Sequence, residues 1–344
     1  MRFEKHPYVD NIVHLLHHIC LQMVPYLYYE YDYYGGRCMK QKALIMGLLG
    51  CLLLAGCQGA ASDKEASETD TDPISYTDAV VSYLGPEGTY TQEACDRFFG
   101  GEGTYVPYAT VADAVNALQD GKSDYAVIPQ ENTIGGPVID YVDLLISEED
   151  VFVCGETELP ITQNLLTLPG APLDQIKTVY SHKQGIAQGK DWLEKNLPDA
   201  EVIEVSSTAE GARMVSEAQN PSLAAIASAS SAKVYGLQIA AESIQNSDAN
   251  KTRFYVLTMN EPKQKTGDRA AFIASGKASD LPSLMSEIDK LHLSLVTIHA
   301  RPLKTELGQY CYLIECAQCT YDAYEKLKSN SPFSFRYLGC FDVR

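Results

Sequence analysis

Polar residues gather in four short segments at the ends of predicted strands, and their side chains suit the binding or conversion of a small anion. The segments are residues 85–91, 129–136, 180–188 and 250–254. In an open α/β sheet, ligands bind beside the carboxyl ends of the parallel strands. The four segments therefore predict one ligand site assembled from distant parts of the chain.

The first two segments carry groups that bind anions and polar ligands. Gly88 lets the backbone approach a ligand, and Thr89 with Gln92 predicts a capping box that leaves helical N–H groups facing an anion. Residues 131–133, Glu-Asn-Thr, place a carboxylate, an amide and a hydroxyl in consecutive positions. Each segment by itself also fits a structural interpretation, as a Gly-rich turn or as a helix cap followed by a turn.

The last two segments add hydroxyl, amide and guanidinium groups. Ser181 lies in a Tyr-Ser-His-Lys-Gln stretch, and Gln188 follows one helical turn later. Thr252 and Arg253 are adjacent, which suits a carboxylate that needs a bidentate clamp and a hydrogen-bond donor. The structural alternative for Arg253 is a solvated side chain in a loop.

Alternating strands and helices are predicted to position these segments. Strands at residues 80–84 and 125–128 precede the first two segments, a loop spans residues 129–136, and helices follow at residues 92–99 and 138–146. A second stretch repeats this plan, with a helix that opens at Ser207 before an apolar strand. Two such halves predict an α/β fold of two lobes, each with an open, mostly parallel sheet, and a cleft between them.

Residues 268–344 follow a different pattern. Strands are predicted at residues 269–275, 294–300, 309–316 and 335–339, and two helices complete the order β-α-β-β-α-β. This order is typical of a ferredoxin-like domain. Cys316 and Cys319 form half of a metal or redox motif without a second half, so we interpret them as ordinary small residues. A disulfide within residues 311–340 stays an alternative if the protein is exported.

The first 77 residues are predicted to lie outside the fold. Residues 39–57 have the basic, apolar and small-residue regions of a secretory signal, and Leu-Ala-Gly before Cys57 resembles a bacterial lipobox, with Cys57 as the lipidated residue. Residues 1–38 are interpreted as a misassigned upstream start. Residues 58–77 hold five acidic residues and one Lys, which predicts a disordered tether. These predictions place the protein on a membrane, outside the cytoplasm; without a functional leader it would be cytoplasmic.

The composition sets further limits. The 344 residues are 45% hydrophobic and 21% charged, which fits a globular protein with a core. The 45 acidic residues outnumber 27 basic ones, for a net charge of −18, and this excess argues against nucleic acid as a partner.

In their order and spacing, these segments resemble prephenate dehydratase, with a catalytic region at residues 78–262 and an attached ACT domain at residues 268–344. The matching stretches are Tyr83-Leu84-Gly85-Pro86-Glu87-Gly88-Thr89-Tyr90-Thr91, Ile128-Pro129-Gln130-Glu131-Asn132-Thr133, Tyr180-Ser181-His182, Ser207-Thr208-Ala209 and Thr252-Arg253-Phe254. The resemblance implies a two-lobed fold like the type II periplasmic binding proteins. It also implies a lyase of L-phenylalanine biosynthesis. The short, polar residues 58–77 leave no room for a chorismate mutase region, so a monofunctional enzyme is expected.

The resemblance implies a mechanism without metal or organic cofactor. Prephenate would lose CO2 and water to give phenylpyruvate, with Thr252 as the hydrogen-bond donor to the leaving hydroxyl and Glu131 as a second proton source. Arg253 and the Gly88-Thr89 turn would hold carboxylates. The remaining residues that the resemblance assigns to the site are Thr91, Asn132, Thr133, Ser181, Gln188 and Phe254.

The C-terminal domain departs from the family pattern for phenylalanine binding. The first turn lacks the Gly-Ala pair before Leu281, and His299 and Ala300 stand where the family has Glu and Ser, although Arg301-Pro302 is present. Two alternatives stay open: a phenylalanine site at Leu281, His299, Arg301 and Pro302, or a domain that serves dimerisation. A homodimer or homotetramer is expected in either case.

Two other functions fit the predicted fold. An exported, lipid-anchored binding protein would capture an anionic ligand that resembles an aromatic amino acid, without converting it. A regulatory protein would sense a ligand through its C-terminal domain. The fold does not separate these functions, so the site residues must. The intact Glu-Asn-Thr and Thr-Arg-Phe motifs favour the enzyme.

Overall fold

The computed structural model describes residues 75–344. The predicted upstream start, the signal with Cys57 and all but the last residues of the tether lie outside the described residues. Tyr76, at the predicted end of the tether, packs edge-on against Phe99, with ring centroids 4.9 Å apart, and also contacts Tyr125. Tyr76 is therefore part of the folded chain.

Lobe 1 is built on a mixed sheet with strand order β2-β1-β3-β11-β5, to which the short β4 adds at β3. Its elements are β1 (Val80–Leu84), α1 (Tyr90–Phe99), β2 (Thr104–Tyr108), α2 (Val111–Gln119), β3 (Tyr125–Asn132), β4 (Gly136–Pro137), α3 (Ile139–Ser147), β5 (Phe152–Pro160) and β11 (Lys251–Thr258). Thr110 caps α2 by accepting a hydrogen bond from the Asp113 N–H, and one apolar side of this helix is buried.

Lobe 2 is built on a second mixed sheet with strand order β10-β6-β9-β7-β8. Its elements are β6 (Asn164–Thr167), β7 (Thr178–Ser181), α4 (Lys183–Asn196), β8 (Glu201–Glu204), α5 (Thr208–Ala218), β9 (Leu223–Ala227), α6 (Ala229–Tyr235) and β10 (Gln238–Ala241). The helix predicted to open at Ser207 begins there, since the Ser207 side chain caps α5 by accepting from the Glu210 N–H.

The two lobes confirm the repeated plan, but the prediction of mostly parallel sheets is wrong for the strands nearest the lobe boundary. Strands β1, β2 and β3 are parallel, as are β7, β8 and β9, whereas β11 runs antiparallel to β3 and β5 and β6 runs antiparallel to β9 and β10. The antiparallel strands are those that lead the chain from one lobe to the other. Strands β11 and β6 begin where the chain enters a lobe from the boundary, whereas their neighbours β3 and β9 end at the boundary, so each pair runs in opposite directions.

Two strands are longer than predicted, and this changes the setting of the motifs. The predicted loop at residues 129–136 is strand as far as Asn132, and the polar segment at residues 250–254 is strand from Lys251 onward. The motif residues therefore lie on paired strands, where successive side chains point to opposite faces.

The C-terminal domain confirms the predicted β-α-β-β-α-β order. Its elements are β12 (Arg269–Lys277), α7 (Leu281–Lys290), β13 (Ser294–Pro302), β14 (Gln309–Ala317), α8 (Tyr321–Ser329) and β15 (Ser334–Phe341). The sheet is antiparallel with order β13-β14-β12-β15, which is the ferredoxin-like arrangement.

One face of this third sheet packs on α7 and α8, and the other face packs on lobe 1. Ala271, Ile273 and Leu313 share an apolar cluster with Ile128 and Tyr255 of lobe 1. The last residues of the chain also bond to β5, since the Arg344 N–H donates to the Glu156 carbonyl at 2.9 Å. The C-terminal domain and lobe 1 thus share a continuous core.

Within the described residues, the six cysteines are free thiols, and burial raises the pKa of Cys316 and of Cys319 to about 12. No helix in this part of the chain has the length and apolar character needed to span a bilayer.

Candidate active site

The predicted motifs meet where the chain crosses between the lobes. The chain crosses once after β5, at residues 161–163, and again after β10, at residues 242–250. Three hydrogen bonds join these two segments: Ile161 N–H to the Asn250 carbonyl at 2.9 Å, Ile244 N–H to the Gln163 carbonyl at 2.8 Å, and Gln163 N–H to Gln245 Oε1 at 3.0 Å. Strands β1 and β3 end here and β11 begins here. The boundary therefore collects polar side chains from both lobes.

Thr252 and Asn132 form a direct pair at this boundary. They are opposite each other in the β11–β3 ladder, and Asn132 Nδ2 donates to Thr252 Oγ1 at 2.9 Å and to Asn250 Oδ1 at 2.7 Å. Asn132 Oδ1 accepts from the backbone N–H groups of Ile134 and Gly135. Within the described chain, the Thr252 hydroxyl donates to no acceptor, so its proton is available to a ligand.

Thr133 has a different position from its neighbour Asn132. Its hydroxyl donates to the Ala249 carbonyl at 2.9 Å and accepts from the Lys251 N–H at 3.0 Å. Both hydrogen bonds tie the end of β3 to the start of β11. In this structure the hydroxyl of Thr133 thus links two strands of the site.

The Gly88 turn of lobe 1 contacts lobe 2. Gly88 has a φ of 80°, a conformation that favours glycine, and its carbonyl accepts from Ser231 Oγ at 2.7 Å and Ser228 Oγ at 3.0 Å. Thr89 caps α1 by accepting from the Gln92 N–H, and Gln92 Oε1 in turn accepts from the Gly88 N–H at 2.6 Å. The predicted cap is thus present in a variant form. Thr91, in the first turn of α1, is buried.

Lobe 2 contributes a row of amide and hydroxyl groups. Ser181 Oγ donates to the Ile226 carbonyl at 2.7 Å, and Gln188 Oε1 accepts from Gln163 Nε2 at 2.9 Å. Gly185 packs closely against Ser181, because a Cβ at this position would come within 2.5 Å of Ser181 Oγ. The lobes also approach each other at Gly135, where a Cβ would be 2.5 Å from the Gln184 amide nitrogen.

Two buried amides at the boundary have a polar atom without a partner among the described residues. Gln163 is 2% exposed and its Oε1 accepts no hydrogen bond, while Asn250 is 1% exposed and its Nδ2 donates none. Buried polar atoms are usually satisfied, so these atoms are suited to a ligand. Neither residue was predicted from the sequence to belong to the site. Asn250 opens the polar segment at residues 250–254, whereas Gln163 has no local signal.

Arg253 and Glu131 lie on the opposite face of the same strands, which corrects the prediction that they line the cleft with Asn132 and Thr252. They pair in the ladder one position beyond Thr252 and Asn132, and Arg253 Nη1 lies 3.1 Å from Glu131 Oε2. Arg253 also contacts Glu156 at 2.7 Å and Glu315 of the C-terminal domain. The Arg253 side chain is only 11% exposed and its guanidinium is paired with three carboxylates, so it is not free to clamp a substrate carboxylate.

Phe254 is likewise removed from the boundary. It is buried in the apolar cluster beneath α1, together with Phe98 and Val256. A direct contact between Phe254 and a ligand, as predicted, is therefore not available in this structure. Thr252 and Phe254 lie on the same face of β11, but Thr252 is at the strand end beside the boundary, whereas Phe254 is two residues further along, where α1 covers the sheet.

A β-bulge brings Gln130 to the same side as Glu131. The register of β11 with β3 shifts between Arg253 and Phe254, which pair with Glu131 and Pro129, so Gln130 is the extra residue. Gln130 Nε2 donates to Glu315 Oε2 at 2.9 Å. The bulge lets two consecutive side chains face the C-terminal domain, while Asn132 faces the boundary.

These contacts belong to an ion cluster between lobe 1 and the C-terminal domain, formed by Glu131, Glu156, Glu158, Arg253, Arg269 and Glu315. Arg269 contacts Glu156 at 2.5 Å, Glu158 at 3.0 Å and Glu315 at 3.1 Å. Burial raises the pKa of Glu156, against the hydrogen bond from Arg253. For Arg253, burial lowers the pKa, but the bond to Glu156 and the charge of Glu315 outweigh it, so its pKa is above the ordinary range.

The residues predicted to bind phenylalanine are not brought together. Leu281 packs on the helix side of the C-terminal sheet, whereas His299 lies against Tyr141 of lobe 1, with ring centroids 6.1 Å apart. Arg301 contacts Asp143 of α3 at 2.5 Å, and Pro302 ends β13. No group of three or more His, Cys, Asp or Glu side chains within residues 75–344 is arranged to hold a metal ion.

Comparison with known proteins gives a consistent set of relatives. A family model described as prephenate dehydratase matches residues 81–262. The bifunctional chorismate mutase/prephenate dehydratase of Neisseria gonorrhoeae is 36% identical over 237 residues, which are 68% of this chain and 65% of that protein. The chain thus spans slightly less than two thirds of that relative. The prephenate dehydratase of Lactococcus lactis subsp. lactis is 32% identical over 271 residues, 77% of this chain and 94% of that protein.

Solved structures agree with this result. A prephenate dehydratase from Arthrobacter aurescens, in complex with L-Phe, has a TM-score of 0.68 at 28% identity and covers 76% of this chain and 90% of its own. A quorum-quenching acylase of a novel type has a TM-score of 0.69 over 77% of this chain and 98% of its own, but its 22% identity shows a shared fold alone. On the family match and the identity to curated relatives, this chain belongs to the prephenate dehydratase family.

Proposed function

We propose that this protein converts prephenate to phenylpyruvate as a prephenate dehydratase. The observation that carries the proposal is the Thr252–Asn132 pair. Asn132 Nδ2 donates to Thr252 Oγ1, and the hydroxyl proton of Thr252 has no acceptor among the described residues. A hydroxyl that accepts one hydrogen bond is a better donor of the next. Thr252 is thus a positioned donor at the lobe boundary.

The reaction needs a donor of this kind. The bond from the ring to its carboxylate breaks, and its electron pair forms the last ring double bond as CO2 leaves. The bond from the ring to its hydroxyl breaks at the same time, and the departing oxygen takes up a proton and leaves as water. Because aromatisation supplies the driving force, the protein has to orient the substrate and stabilise the departing oxygen.

The substrate carboxylates would meet amide donors instead of Arg253. Asn250 Nδ2 is a buried donor without an acceptor in the described part of the chain, and Asn132 Nδ2 donates to both Asn250 Oδ1 and Thr252 Oγ1. Gln163, Gln188 and Ser181 supply the facing polar groups from lobe 2.

Turnover by the full chain tests the proposal. Ultraviolet absorbance follows the conversion of prephenate to phenylpyruvate, and we expect Thr252→Ala to lower kcat by at least about 100-fold, because positioned proton donors contribute on that order. Thr252→Ser keeps the hydroxyl and is the matched control. Binding of prephenate by the wild-type chain without turnover would favour the rival, a binding protein that captures its ligand unchanged.

We further propose that the C-terminal domain is an ACT domain that pairs with a second copy. Its edge strand β13 exposes Leu295 and Val296, which supports pairing at this edge. The L-Phe complex of the Arthrobacter aurescens enzyme supports L-Phe as a ligand of this protein, and we propose the C-terminal domain as its site. The separation of Leu281 from His299 and Arg301 argues for a weak response. Sedimentation of the full chain with and without L-Phe tests both points.

The location of the protein is a separate proposal, which the signal-like residues 39–57 support. We propose that Cys57 is lipidated and anchors the protein to the outside of a bacterial membrane. Fractionation of cells that express the parent or the Cys57→Ala chain tests this. A parent chain that stays in the cytosol would exclude the anchor and leave the proposed activity untouched.

A further inference from the structure

Glu315 of the C-terminal domain is fully buried and accepts hydrogen bonds from four side chains. Its Oε2 accepts from Gln130 Nε2 at 2.9 Å and from the Tyr255 hydroxyl, and its Oε1 accepts from Arg269 Nη1 at 3.1 Å and from Arg253 Nη2. Three of these donors belong to lobe 1. One carboxylate of the C-terminal domain is therefore bonded mainly to the neighbouring lobe.

The three donors of lobe 1 lie on the two strands that carry the Thr252–Asn132 pair. Gln130 is the bulged residue two positions before Asn132, and Arg253 directly follows Thr252. Glu315 thus holds β3 and β11 immediately beside the pair, from the face opposite the lobe boundary. A displacement of Glu315 would move the bulge and Arg253, and with them the backbone of Asn132 and Thr252.

Stability does not account for this arrangement. A buried ion pair is generally no more stabilising than apolar side chains of the same volume, because both ions lose their hydration. A buried polar group held by several hydrogen bonds, as Glu315 is by four donors, does, however, select one geometry over its neighbours. Four carboxylates and two guanidinium groups between lobe 1 and the C-terminal domain therefore suit a role in alignment.

We propose that Glu315 is a positioning residue that sets the geometry of the Thr252–Asn132 pair from the C-terminal domain. The proposal rests on the proposed function, since the aligned hydroxyl is the donor to the leaving group. A misplacement of about 1 Å at a reacting group costs about 100-fold in rate. Changes in the C-terminal sheet that shift β14 would reach the site by the same contacts.

The test compares Glu315→Gln with Glu158→Gln in the full chain. Glu158 belongs to the same ion cluster, but among residues 75–344 its carboxylate pairs with Arg269 alone, so its change removes a charge without touching Gln130, Arg253 or Tyr255. We expect Glu315→Gln to lower kcat at least about tenfold while KM stays within about twofold, and Glu158→Gln to leave both within about twofold, since alignment acts on the transition state. A folded Glu315→Gln chain with the wild-type kcat would overturn the proposal.

Two further measurements cover the cases in which the first is uninformative. If Glu315→Gln does not fold, Tyr255→Phe removes a single donor to Glu315, and an unchanged kcat would then contradict the proposal. Amide hydrogen exchange at residues 128–133 and 250–255 reports the geometry without turnover, and we expect exchange about tenfold faster in Glu315→Gln than in Glu158→Gln. Equal exchange would refute the positioning role, whereas absent turnover in the wild type with faster exchange in Glu315→Gln would reject only the enzyme function.

Discussion

Strands β3 and β11 present neutral side chains to the boundary between the lobes and charged side chains to the C-terminal domain. On the first face, Asn132, Thr252 and Asn250 are joined by hydrogen bonds of 2.7 and 2.9 Å. On the second face, Arg253 is held by carboxylates of β3, β5 and β14. The residues that alternate along one motif thus divide into two groups with different partners.

The charge of a motif residue is therefore not evidence that the residue lines the ligand site. The proposed substrate is an anion, and Arg253 is the residue that elementary electrostatics would assign to it. In the structure, Arg253 lies at the interface with the C-terminal domain, and the groups that remain for a ligand at the lobe boundary are hydroxyls and amides. Neutral donors can be left without a protein partner at lower cost than a buried guanidinium, and this fits a site that must be vacant between turnovers.

The largest effect is expected from removal of the cation on the charged face. Arg253→Met leaves the fully buried Glu156 and Glu315 with less compensation, and removal of one partner from a buried ion pair costs about 3–5 kcal/mol. We therefore expect the free energy of unfolding, measured with denaturant, to fall by about that amount. Arg213→Met is the control, because Arg213 pairs with Glu210 and Glu217 on an exposed helix surface. Equal losses in the two variants would break the distinction between the faces.

The next effect concerns the neutral face and should appear in turnover instead of stability. Asn132→Asp keeps an acceptor for the N–H groups of Ile134 and Gly135 but replaces the donor to Thr252 with a carboxylate oxygen. The Thr252 hydroxyl would then donate to residue 132 and not to the leaving group. We expect kcat to fall by about 100-fold or more, comparable to loss of a donor in the transition state.

Asn116→Asp adds the same negative charge on an exposed position of α2 and should leave kcat unchanged. A loss of similar size in both variants would assign the effect of Asn132→Asp to charge. A kcat near the wild-type value for Asn132→Asp would contradict the role of the Asn132 donor.

A smaller effect is expected in the dependence of stability on pH, again on the charged face. Burial lowers the pKa of His299, with Glu131 and Glu315 opposing and Arg253 reinforcing the shift. A histidine with a folded-state pKa below the ordinary value of about 6.5 binds protons less in the folded state. Its contribution to stability is present above that value and is lost as the pH falls through the folded-state pKa.

His299→Gln should therefore lose less stability than the wild type between neutral and mildly acidic pH. Denaturant unfolding of both chains across this range gives the difference between their free energies of unfolding. The contributions of the other titrating groups cancel in that difference. A difference that stays constant with pH would show that His299 does not couple protonation to folding.

The smallest effect is expected for an ion pair at the edge of the same interface. Arg301 and Asp143 are 2.5 Å apart, but both side chains are largely exposed, and exposed pairs contribute little. Asp143→Asn should change the unfolding midpoint far less than Arg253→Met. A comparable loss would mean that burial does not separate the two kinds of ion pair. The same variant also frees Arg301, so a stronger response to L-Phe is the expected outcome if Arg301 belongs to a ligand site.

Much of the fold was predictable because it depends on local pattern. The apolar spacing of α2, the caps at Thr89 and Ser207 and the β-α-β-β-α-β order of the C-terminal domain all follow from short stretches of sequence. The directions of β6 and β11 were not predictable in this way, since pairing across the lobe boundary depends on contacts between distant segments.

The site divides along the same line. The family motifs were enough to bring Thr252 and Asn132 forward as residues of one site, and only the ladder places them opposite each other. Arg253 and Glu131 were grouped with them because neighbours in a loop can share a direction. Neighbours in a strand cannot, and the length of β3 and β11 was the missing fact. Phe254 shares the face of Thr252 but is covered by α1, which only the packing of the helix decides. Gln163 was missed because nothing in its neighbourhood distinguishes it from other polar residues near a strand.

The amino-acid sequence by itself determined the two-lobed α/β architecture, the ferredoxin-like C-terminal domain and the motifs of the prephenate dehydratase family, because helical and strand periodicity and short motifs are properties of neighbouring residues. The tertiary structure decided which motif residues face the lobe boundary and which face the C-terminal domain. That division depends on strand register, on the bulge at Gln130 and on Glu315, which lies 184 residues beyond Glu131 and reaches Arg253 only in the folded chain. A charged side chain can be buried only where a partner of opposite charge meets it. The sequence therefore shows which residues are charged, and the fold decides which of them are buried as pairs.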